Sequence, residues 1–294
     1  MKTVELFQKK QVLSFEVFPP KRTAPVNTIY ETLEELKSLH PDFISVTYGA
    51  GGTKNCESTL EIASAIKHQY GVESVAHLPC CGLSREEICD QLKRFEQAGI
   101  KNILALRGDI SPGTKGHGDF RYASDLIELI KVEGEFNIIA ACYPEGHTES
   151  ENIVKDIQNL KRKVDAGASH LISQLFFDND YFYHFCERAE IAGIHVPIEA
   201  GIMPVVNKKQ IERMVSLCGA TLPEKFVKMM SRYEYDSEAM RDAGIAYAVN
   251  QIVDLVTQGV DGIHLYTMNN PYIAKRIYEA THRLFAPSGS SDIK

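Results

Sequence analysis

Short apolar or β-branched runs recur at intervals of roughly 30 residues along most of the chain, and stretches with helical spacing separate them. Strands that alternate with helices are typical of βα units, whose strands run parallel in one sheet. Eight such units within 294 residues predict an α/β protein, a (β/α)8 barrel forming a single domain over residues 1–294. The eight runs are VLSFEVF (12–18), FISVTY (43–48), ESVAHL (73–78), NILALR (102–107), NIIAACY (137–143), HLISQLFF (170–177), VPIEAGIM (196–203) and GIHLYTM (262–268).

The stretches between the runs predict the helices of the barrel. Ser84 and Glu87 form a capping-box pattern at one helix start. Additional helices are expected between strands 7 and 8, and residues 287–294 are expected to form a flexible tail. The alternative is an open doubly wound sheet, but the chain has no GxGxxG after the first run and no GxxxxGK[ST] motif. The predicted helices are 28–39, 57–69, 84–98, 123–132, 151–166, 180–192, 208–218, 237–258 and 272–284.

Charge and cysteine usage narrow the class of protein. A formal net charge of −7 argues against a nucleic-acid or anionic-membrane surface. Seven cysteines, an odd number in a long chain, fit reduced thiols better than a disulfide framework. The first residues lack a signal-peptide apolar region, and no apolar run of membrane-spanning length occurs. We therefore expect a soluble, cytoplasmic protein.

The predicted strands end in polar residues. In a (β/α)8 barrel the active site lies where the strands end and the βα loops begin. So many polar strand ends predict a ligand site at this rim. These residues are Glu16, Thr47, Tyr48, His77, Arg107, Gly108, Asp109, Tyr143, Glu145, His147, Gln174, Tyr266, Thr267 and Asn269.

Glu16 is unusual because it interrupts an apolar, β-favouring run, SFEVF, that two prolines then end. Side chains alternate along a strand, so Ser14, Glu16 and Phe18 share one face, and Phe15 and Val17 the other. An ionised carboxylate near a buried surface is costly unless it is paired or solvated. Glu16 is therefore either a structural acid paired with a cation or a functional one.

Several chemistries can be weighed for this rim. A zinc site from His77, Cys80, Cys81 and Cys142 lacks the usual paired CxxC spacing. No GxSxG motif supports serine hydrolysis, and the chain has no tryptophan to stack on sugars between Glu16 and Asp109. A flavin site fits better, because it needs a cation and backbone amides for the diphosphate, aromatic or histidine contacts, and polar groups beside the ring.

Ten motifs, in chain order, resemble the catalytic barrel of the methylenetetrahydrofolate reductase family. The resemblance covers residues from about 12 to about 285. The chain resembles the short bacterial form of the family, which lacks the regulatory domain of the eukaryotic enzymes. It implies FAD-dependent reduction of 5,10-methylenetetrahydrofolate to 5-methyltetrahydrofolate by NADH or NADPH, in ping-pong order, feeding methionine synthesis and one-carbon metabolism. The motifs are SFEVFPPK, SVTYGAGG, AHLPC, ALRGD, YASDL, YPEGH, NLKRKVDAGA, QLFFD, GIMPV and HLYTMN.

The resemblance also implies roles for individual residues. It assigns the catalytic acid to Glu16, and its apolar strand suits an acid that must carry a proton. Asp109 would tune the flavin, unless it is a turn or N-cap residue, and Gln174 would contact folate and flavin, unless it is bonded to the backbone. The cofactor-binding positions are Thr47, Tyr48, Ala50, His77, Arg107, Gly108, Asp109, Tyr122, Ala123, Tyr143, His147, Ser150, Asp156, Asn159, Arg162 and Lys163, and the substrate-binding positions are Glu16, Thr47, Gln174 and Gln210.

Two positions depart from the family pattern. Met214 stands where some relatives carry Phe, and Asn270 stands where relatives carry Arg, which puts the usual anchoring of folate in doubt unless Lys275 or Arg276 substitutes. The departures leave open a flavin-bearing subunit that receives electrons from a partner protein, and a zinc-dependent barrel methyltransferase is a weaker alternative. A homo-oligomer is expected, with no bound metal, nucleic acid or membrane.

Overall fold

The computed structural model describes residues 1–20, 27–48, 56–109 and 118–285, so Ala50 and the tail 287–294 lie outside the described residues. Within them, eight parallel strands close into a barrel in the order β1 to β8. The predicted (β/α)8 fold is therefore confirmed. The strands are β1 Val12–Val17, β2 Phe43–Val46, β3 Glu73–Pro79, β4 Asn102–Leu106, β5 Asn137–Cys142, β6 His170–Ser173, β7 Ile198–Ile202 and β8 Gly262–Tyr266.

Helices follow the strands along the described chain and cover the outside of the barrel. Both halves of the predicted capping box form: the Ser84 hydroxyl accepts from Glu87 N at 3.2 Å, and Ser84 N donates to the Glu87 carboxylate at 2.8 Å. The helices are α1 Asn27–Lys37, α2 Cys56–His68, α3 Arg85–Gln97, α4 Ala123–Glu133, α5 Ile153–Ala166, α6 Asn179–Ile191, α7 Lys208–Cys218, α8 Glu224–Arg232, α9 Ser237–Thr257 and α10 Pro271–Thr281.

The strand alternation predicted around Glu16 explains how the barrel is filled. Phe15 and Val17 pack in the large core between strands and helices. Side chains on the opposite face of each strand point into the barrel, where an apolar layer comprises Val12, Phe43, Val75, Leu104, Ile139 and Ile172. Two residues further along β1 and β2 the interior becomes polar, at Ser14 and Ser45, both fully buried. Along β1 and β2 the barrel interior is therefore apolar at the strand starts and polar towards the strand ends.

The sixth strand is shorter than predicted: it ends at Ser173, whereas the apolar run continued to residue 177. Phe176 stacks on Phe182 at 5.1 Å and Phe177 stacks on Phe226 of α8 at 4.7 Å, measured between ring centroids. Their burial comes from helices outside the barrel. A continuous apolar run cannot distinguish a strand from a loop whose side chains are buried in this way.

Three helices lie between β7 and β8: α7 and α9, where 208–218 and 237–258 were predicted, and α8, which was not predicted. They enclose a second apolar core containing Phe177, Met203, Val205 and Phe226. In the described part of the chain, no helix combines the length with the apolar character needed to cross a membrane.

Candidate active site

Glu16 lies at the end of β1, between two histidines. His77 Nε2 and His264 Nε2 each lie 3.6 Å from Glu16 Oε2, and the Glu16 side chain is 18% exposed. Burial lowers the pKa of His77 to about 4, although the Glu16 charge acts in the opposite direction. His77 is therefore neutral at neutral pH, and its contact with Glu16 is between a carboxyl group and an imidazole. The structural alternative, a Glu16 paired with an arginine or lysine, is absent from the described residues.

The end of β1 is held by residues that follow β8. The Thr267 hydroxyl donates to Glu16 O at 2.6 Å, and the Asn269 side chain bonds both N and O of Phe18, at 3.0 and 2.8 Å. Tyr266, in register with Glu16, donates its hydroxyl to Ser173 O at 2.7 Å. Thr267 and Asn269 therefore hold the backbone that carries Glu16, and the Tyr266 hydroxyl links β8 to the end of β6.

A second group of site residues lies where β4 and β5 end. Arg107 makes a two-pronged ion pair with Glu149, with Nη2 2.8 Å from Oε1. The Tyr143 and His147 rings meet edge to face at 4.6 Å. Lys163 of α5 reaches over the Tyr143 ring, 5.9 Å from Nζ to the ring centre, and donates to Ala141 O at 2.9 Å. This wall combines two cations with two aromatic rings.

Lys163 is the cation of this wall without a carboxylate partner: no ion pair to it forms within the described residues. Burial lowers the pKa of Lys163. Burial likewise raises the pKa of Tyr143 to about 12, so Tyr143 stays a neutral hydroxyl. A half-buried cation next to a neutral ring is a suitable place for an anionic group of a ligand.

The remaining predicted positions of α4 and α5 differ in exposure. The Ser150 hydroxyl donates to the buried Asp156 carboxylate at 2.8 Å. Arg162 is exposed and contacts Asn159 at 3.4 Å, so it does not join Lys163 against Tyr143. Tyr122 is 49% exposed and its neighbour Ala123 is buried at the start of α4.

The residues predicted to bind substrate lie on several elements. Thr47 follows β2, and its backbone N donates to Val17 O at 3.0 Å. Gln174 accepts from its neighbour Leu175 N at 2.9 Å through its amide oxygen, as in the structural alternative, but within the described residues its amide NH2 group donates no hydrogen bond. Gln210 of α7 is exposed at the edge of a small apolar pocket lined by Met203, Pro204, Val205, Val206, Asn207, Ile211, Met214 and Met268.

Three other predicted positions lie near these groups. Tyr48 is half-buried, and its hydroxyl accepts from Gln91 Nε2 at 3.5 Å. Asp109 is exposed just after β4, and its charge helps to raise the pKa of Tyr143. Gly108 has φ +85°, and a Cβ there would lie 3.0 Å from Pro79 Cβ, so only glycine fits this turn without strain.

Two of the residues weighed for zinc, Cys80 and Cys142, are buried thiols. Burial raises the pKa of Cys80 to about 12, and its Sγ donates to Arg107 O at 3.7 Å. Burial raises the pKa of Cys142 well above its ordinary value. Metal ligation needs thiolates. No group of three or more possible ligands is arranged around a common point in the described residues.

Sequence reasoning did not single out His264 and Glu199. His264 lies two residues before Tyr266, so strand alternation places it on the interior face of β8. Glu199 is a carboxylate inside the apolar run VPIEAGIM, the same signal that singled out Glu16. Both side chains are fully buried inside the barrel.

Comparisons with known proteins find similar sequences along nearly the whole chain. A sequence model described as methylenetetrahydrofolate reductase matches residues 2–282. The chain is 37% identical over 272 residues to the 5,10-methylenetetrahydrofolate reductase of Pectobacterium carotovorum subsp. carotovorum, covering 92% of this chain and 89% of that protein. It is 36% identical over 277 residues to methylenetetrahydrofolate reductase (NADH) 1 of Arabidopsis thaliana, covering 89% of this chain and 47% of that protein.

A solved structure shares the fold alone. It is an uncharacterized protein from Clostridium thermocellum that binds two copies of 5-methyl-5,6,7,8-tetrahydrofolic acid, with a TM-score of 0.62 and 11% identity over 95% of this chain and 97% of that chain. The family assignment rests on the sequence matches. The resemblance drawn from the motifs is thereby confirmed, and the chain belongs to the methylenetetrahydrofolate reductase family.

Proposed function

We propose that this protein reduces 5,10-methylenetetrahydrofolate to 5-methyltetrahydrofolate, with FAD as bound cofactor and NADH or NADPH as electron donor. Family membership and the names of the relatives support folate reduction, and one relative's name specifies NADH. The observation that carries the proposal is Glu16, an acid between two histidines at the end of β1, in a barrel whose β4 and β5 end in a wall of cations and aromatic rings. The product would supply methyl groups for methionine synthesis.

The rim residues fit FAD. Lys163, a half-buried cation without a carboxylate partner among the described residues, and Arg107 would offset the diphosphate charge. When bound, FAD would accept a hydride from the nicotinamide nucleotide and later deliver it to folate, so the two substrates would use the site in turn. The other residues proposed to line it are Thr47, Tyr48, Ala50, His77, Gly108, Asp109, Tyr122, Ala123, Tyr143, His147, Ser150, Asp156, Asn159 and Arg162.

Glu16 would act on folate. The imidazolidine ring of the substrate has to open before its methylene carbon can accept a hydride, and protonation of the departing ring nitrogen favours this opening. Glu16, flanked by His77 and His264, would hold this proton. Gln174 would donate a hydrogen bond from its amide NH2 group to a substrate. Asp109 would place a negative charge near the flavin. The apolar side chains next to Gln210 would pack against an aromatic part of the substrate.

The first test is flavin content. We expect the purified protein to be yellow and to carry about one FAD per chain. Lys163→Met keeps the length of the side chain but removes its charge, so FAD affinity should fall by about tenfold to a hundredfold, the range of a charged hydrogen bond. Equilibrium titration of the apoprotein with FAD measures this, and Lys161→Met on the same helix, whose lysine pairs with Asp165, is the control.

A folded, colourless protein that takes up no flavin would contradict the proposed function. Zinc found in that protein by metal analysis would then favour the methyltransferase alternative. Equal loss of FAD affinity in both lysine variants would remove Lys163 from the proposed site.

The second test concerns the electron donor. We expect NADH or NADPH, mixed anaerobically with the protein, to bleach the flavin absorbance at least as fast as the enzyme turns over. A flavin that dithionite reduces but neither nucleotide bleaches would instead support a subunit fed by a partner protein. Stopped-flow absorbance with each nucleotide separates the two outcomes.

A further inference from the structure

A chain of buried polar side chains runs from Glu16 into the barrel. His264 Nε2 lies 3.6 Å from Glu16 Oε2. On the other side of the same ring, His264 Nδ1 lies 2.6 Å from Ser14 Oγ, and Ser14 Oγ lies 2.7 Å from Glu199 Oε1. Ser14, His264 and Glu199 are all 0% exposed. The chain thus joins a carboxyl group at the site to a carboxyl group sealed inside the barrel.

Glu199 is not a fully satisfied structural residue. Its Oε2 atom has no hydrogen-bond partner within the described residues. Burial raises the pKa of Glu199 to about 8, the Ser14 bond opposes this, and the charges of Asp42 and Asp261 add to it. Glu199 therefore carries a proton at neutral pH, in a place where an apolar side chain would be less costly.

The ring of His264 is held so that one of its nitrogens faces Glu16 and the other faces Ser14. It stacks on Phe43 at 6.3 Å and meets Tyr266 edge to face at 5.4 Å, measured between ring centroids. Ser45 Oγ, 3.5 Å from Nε2, is the other polar neighbour of that atom. An imidazole with one nitrogen facing each neighbour can accept a proton at one side and release a proton at the other.

We propose that Glu199, Ser14 and His264 form a proton relay that supplies Glu16, an inference that rests on the proposed folate reduction. In this structure the Ser14 hydroxyl donates to Glu199 Oε1, so transfer begins when the Glu199 O–H turns to Ser14 Oγ and the Ser14 hydroxyl turns to His264 Nδ1. The Glu199 O–H proton then passes to Ser14 Oγ as the Ser14 proton passes to His264 Nδ1, and the His264 Nε2 proton passes to the Glu16 carboxylate. Three donor–hydrogen bonds break and three form, His264 changes tautomer, and the negative charge moves from Glu16 to Glu199. Once the product leaves, Glu16 takes up a proton from water, and the reverse sequence passes that proton back to Glu199.

The relay would operate while substrate is bound. Folate over the site would keep bulk water from returning a proton to Glu16 after each donation. A proton stored below Glu16 avoids this difficulty. The 3.6 Å gap between His264 and Glu16 is longer than a hydrogen bond and would have to shorten in the substrate complex.

The test compares Glu199→Gln and Ser14→Ala with Ser74→Ala, which removes another fully buried strand hydroxyl outside the relay. The flavin is reduced with dithionite, mixed anaerobically with methylenetetrahydrofolate, and its reoxidation is followed from about pH 5.5 to about pH 7.5, where Glu199 keeps its proton. At low pH, solvent protons reach Glu16 directly, so both relay variants should stay within about twofold of wild type. At the high end they should be at least about tenfold slower, and Ser74→Ala should follow wild type throughout.

Thermal unfolding gives a measurement that needs neither flavin nor folate. Because the folded-state pKa of Glu199 is raised from 4.5 to about 8, its contribution to stability is present below 4.5 and is lost as the pH rises through 8. The midpoint temperature of wild type should therefore fall relative to that of Glu199→Gln across this window. Parallel midpoints would show that Glu199 is not the proton store and would overturn the relay.

The kinetic outcomes separate the relay from the proposed function. Relay variants that match wild type at every pH, or that are slower by the same factor at every pH, would overturn the relay while leaving folate reduction intact. A flavin-loaded wild type that fails to reduce methylenetetrahydrofolate would contradict the proposed function, and the relay with it.

Discussion

Glu16→Gln should lower methylenetetrahydrofolate reduction by roughly 10²–10⁴-fold, the usual contribution of general acid catalysis. Glutamine keeps the size and hydrogen-bonding shape of the side chain but cannot donate a proton as a carboxylic acid. Flavin reduction by NAD(P)H moves a hydride and needs no acid at the folate nitrogen. Nucleotide oxidation with an artificial quinone acceptor should therefore stay within about tenfold of wild type, about 1.4 kcal/mol in barrier.

The control for this prediction is Glu145→Gln. Glu145 is another glutamate of the rim, and its carboxylate accepts a backbone bond from Thr221, which glutamine can also accept. The Glu145→Gln variant should keep both methylenetetrahydrofolate reduction and nucleotide oxidation with the quinone near the wild-type rates. If Glu16→Gln lowered both activities with flavin still bound, Glu16 would be shaping the flavin site. If it lowered neither, Asp109 would be the next candidate for the acid.

Gly244→Ala should destabilise the protein by about 3 kcal/mol or more, at or above the upper end of the usual cost of overpacking. A Cβ at Gly244 in α9 would lie 1.7 Å from Val205 O and 2.7 Å from Val205 C, so backbone has to move. Without such a contact, alanine would stabilise a helix relative to glycine by about 1 kcal/mol. The contact with Val205 therefore determines that the substitution lowers the stability of the protein. Val205 lines the pocket beside Gln210, so KM for folate should also rise.

Denaturant unfolding and steady-state kinetics measure these two effects. Asn250→Ala, at an exposed position of the same helix, is the control and should leave stability unchanged or slightly higher. A Gly244→Ala protein as stable as wild type would show that the segment after β7 can retreat from α9. The predicted rise in KM would then lose its basis.

The fold could be predicted because it depends on local pattern. Eight apolar runs separated by helical spacing define the barrel, and seven of the eight strands lie where the runs indicated, to within about two residues at each end. The exception is β6, since Phe176 and Phe177 are buried by α6 and α8 and not by a continued strand. Burial by a distant element leaves no periodic trace in the run itself.

The site could be predicted in part. Polar residues at strand ends are recognisable from sequence, and so is a carboxylate in an apolar strand, a pattern that Glu16 and Glu199 share. Asn270, which departs from the family pattern, caps α10 by accepting from Ile273 N at 3.3 Å, a role that its place before a proline-initiated helix could have indicated. Arg276 contacts the Tyr272 hydroxyl at 3.4 Å.

The sequence by itself determined the barrel, the family, and the placing of Glu16 at a strand end, because each depends on residue order and on the period of a strand. Only the tertiary structure decided which groups meet across the barrel. Glu16 and His264 are far apart in the chain, yet closure of β8 against β1 brings them to 3.6 Å. Closure also seals Glu199 from water and leaves Ser14 as its hydrogen-bond partner. Burial and distance arise from packing, so no local pattern encodes the proton state of Glu199.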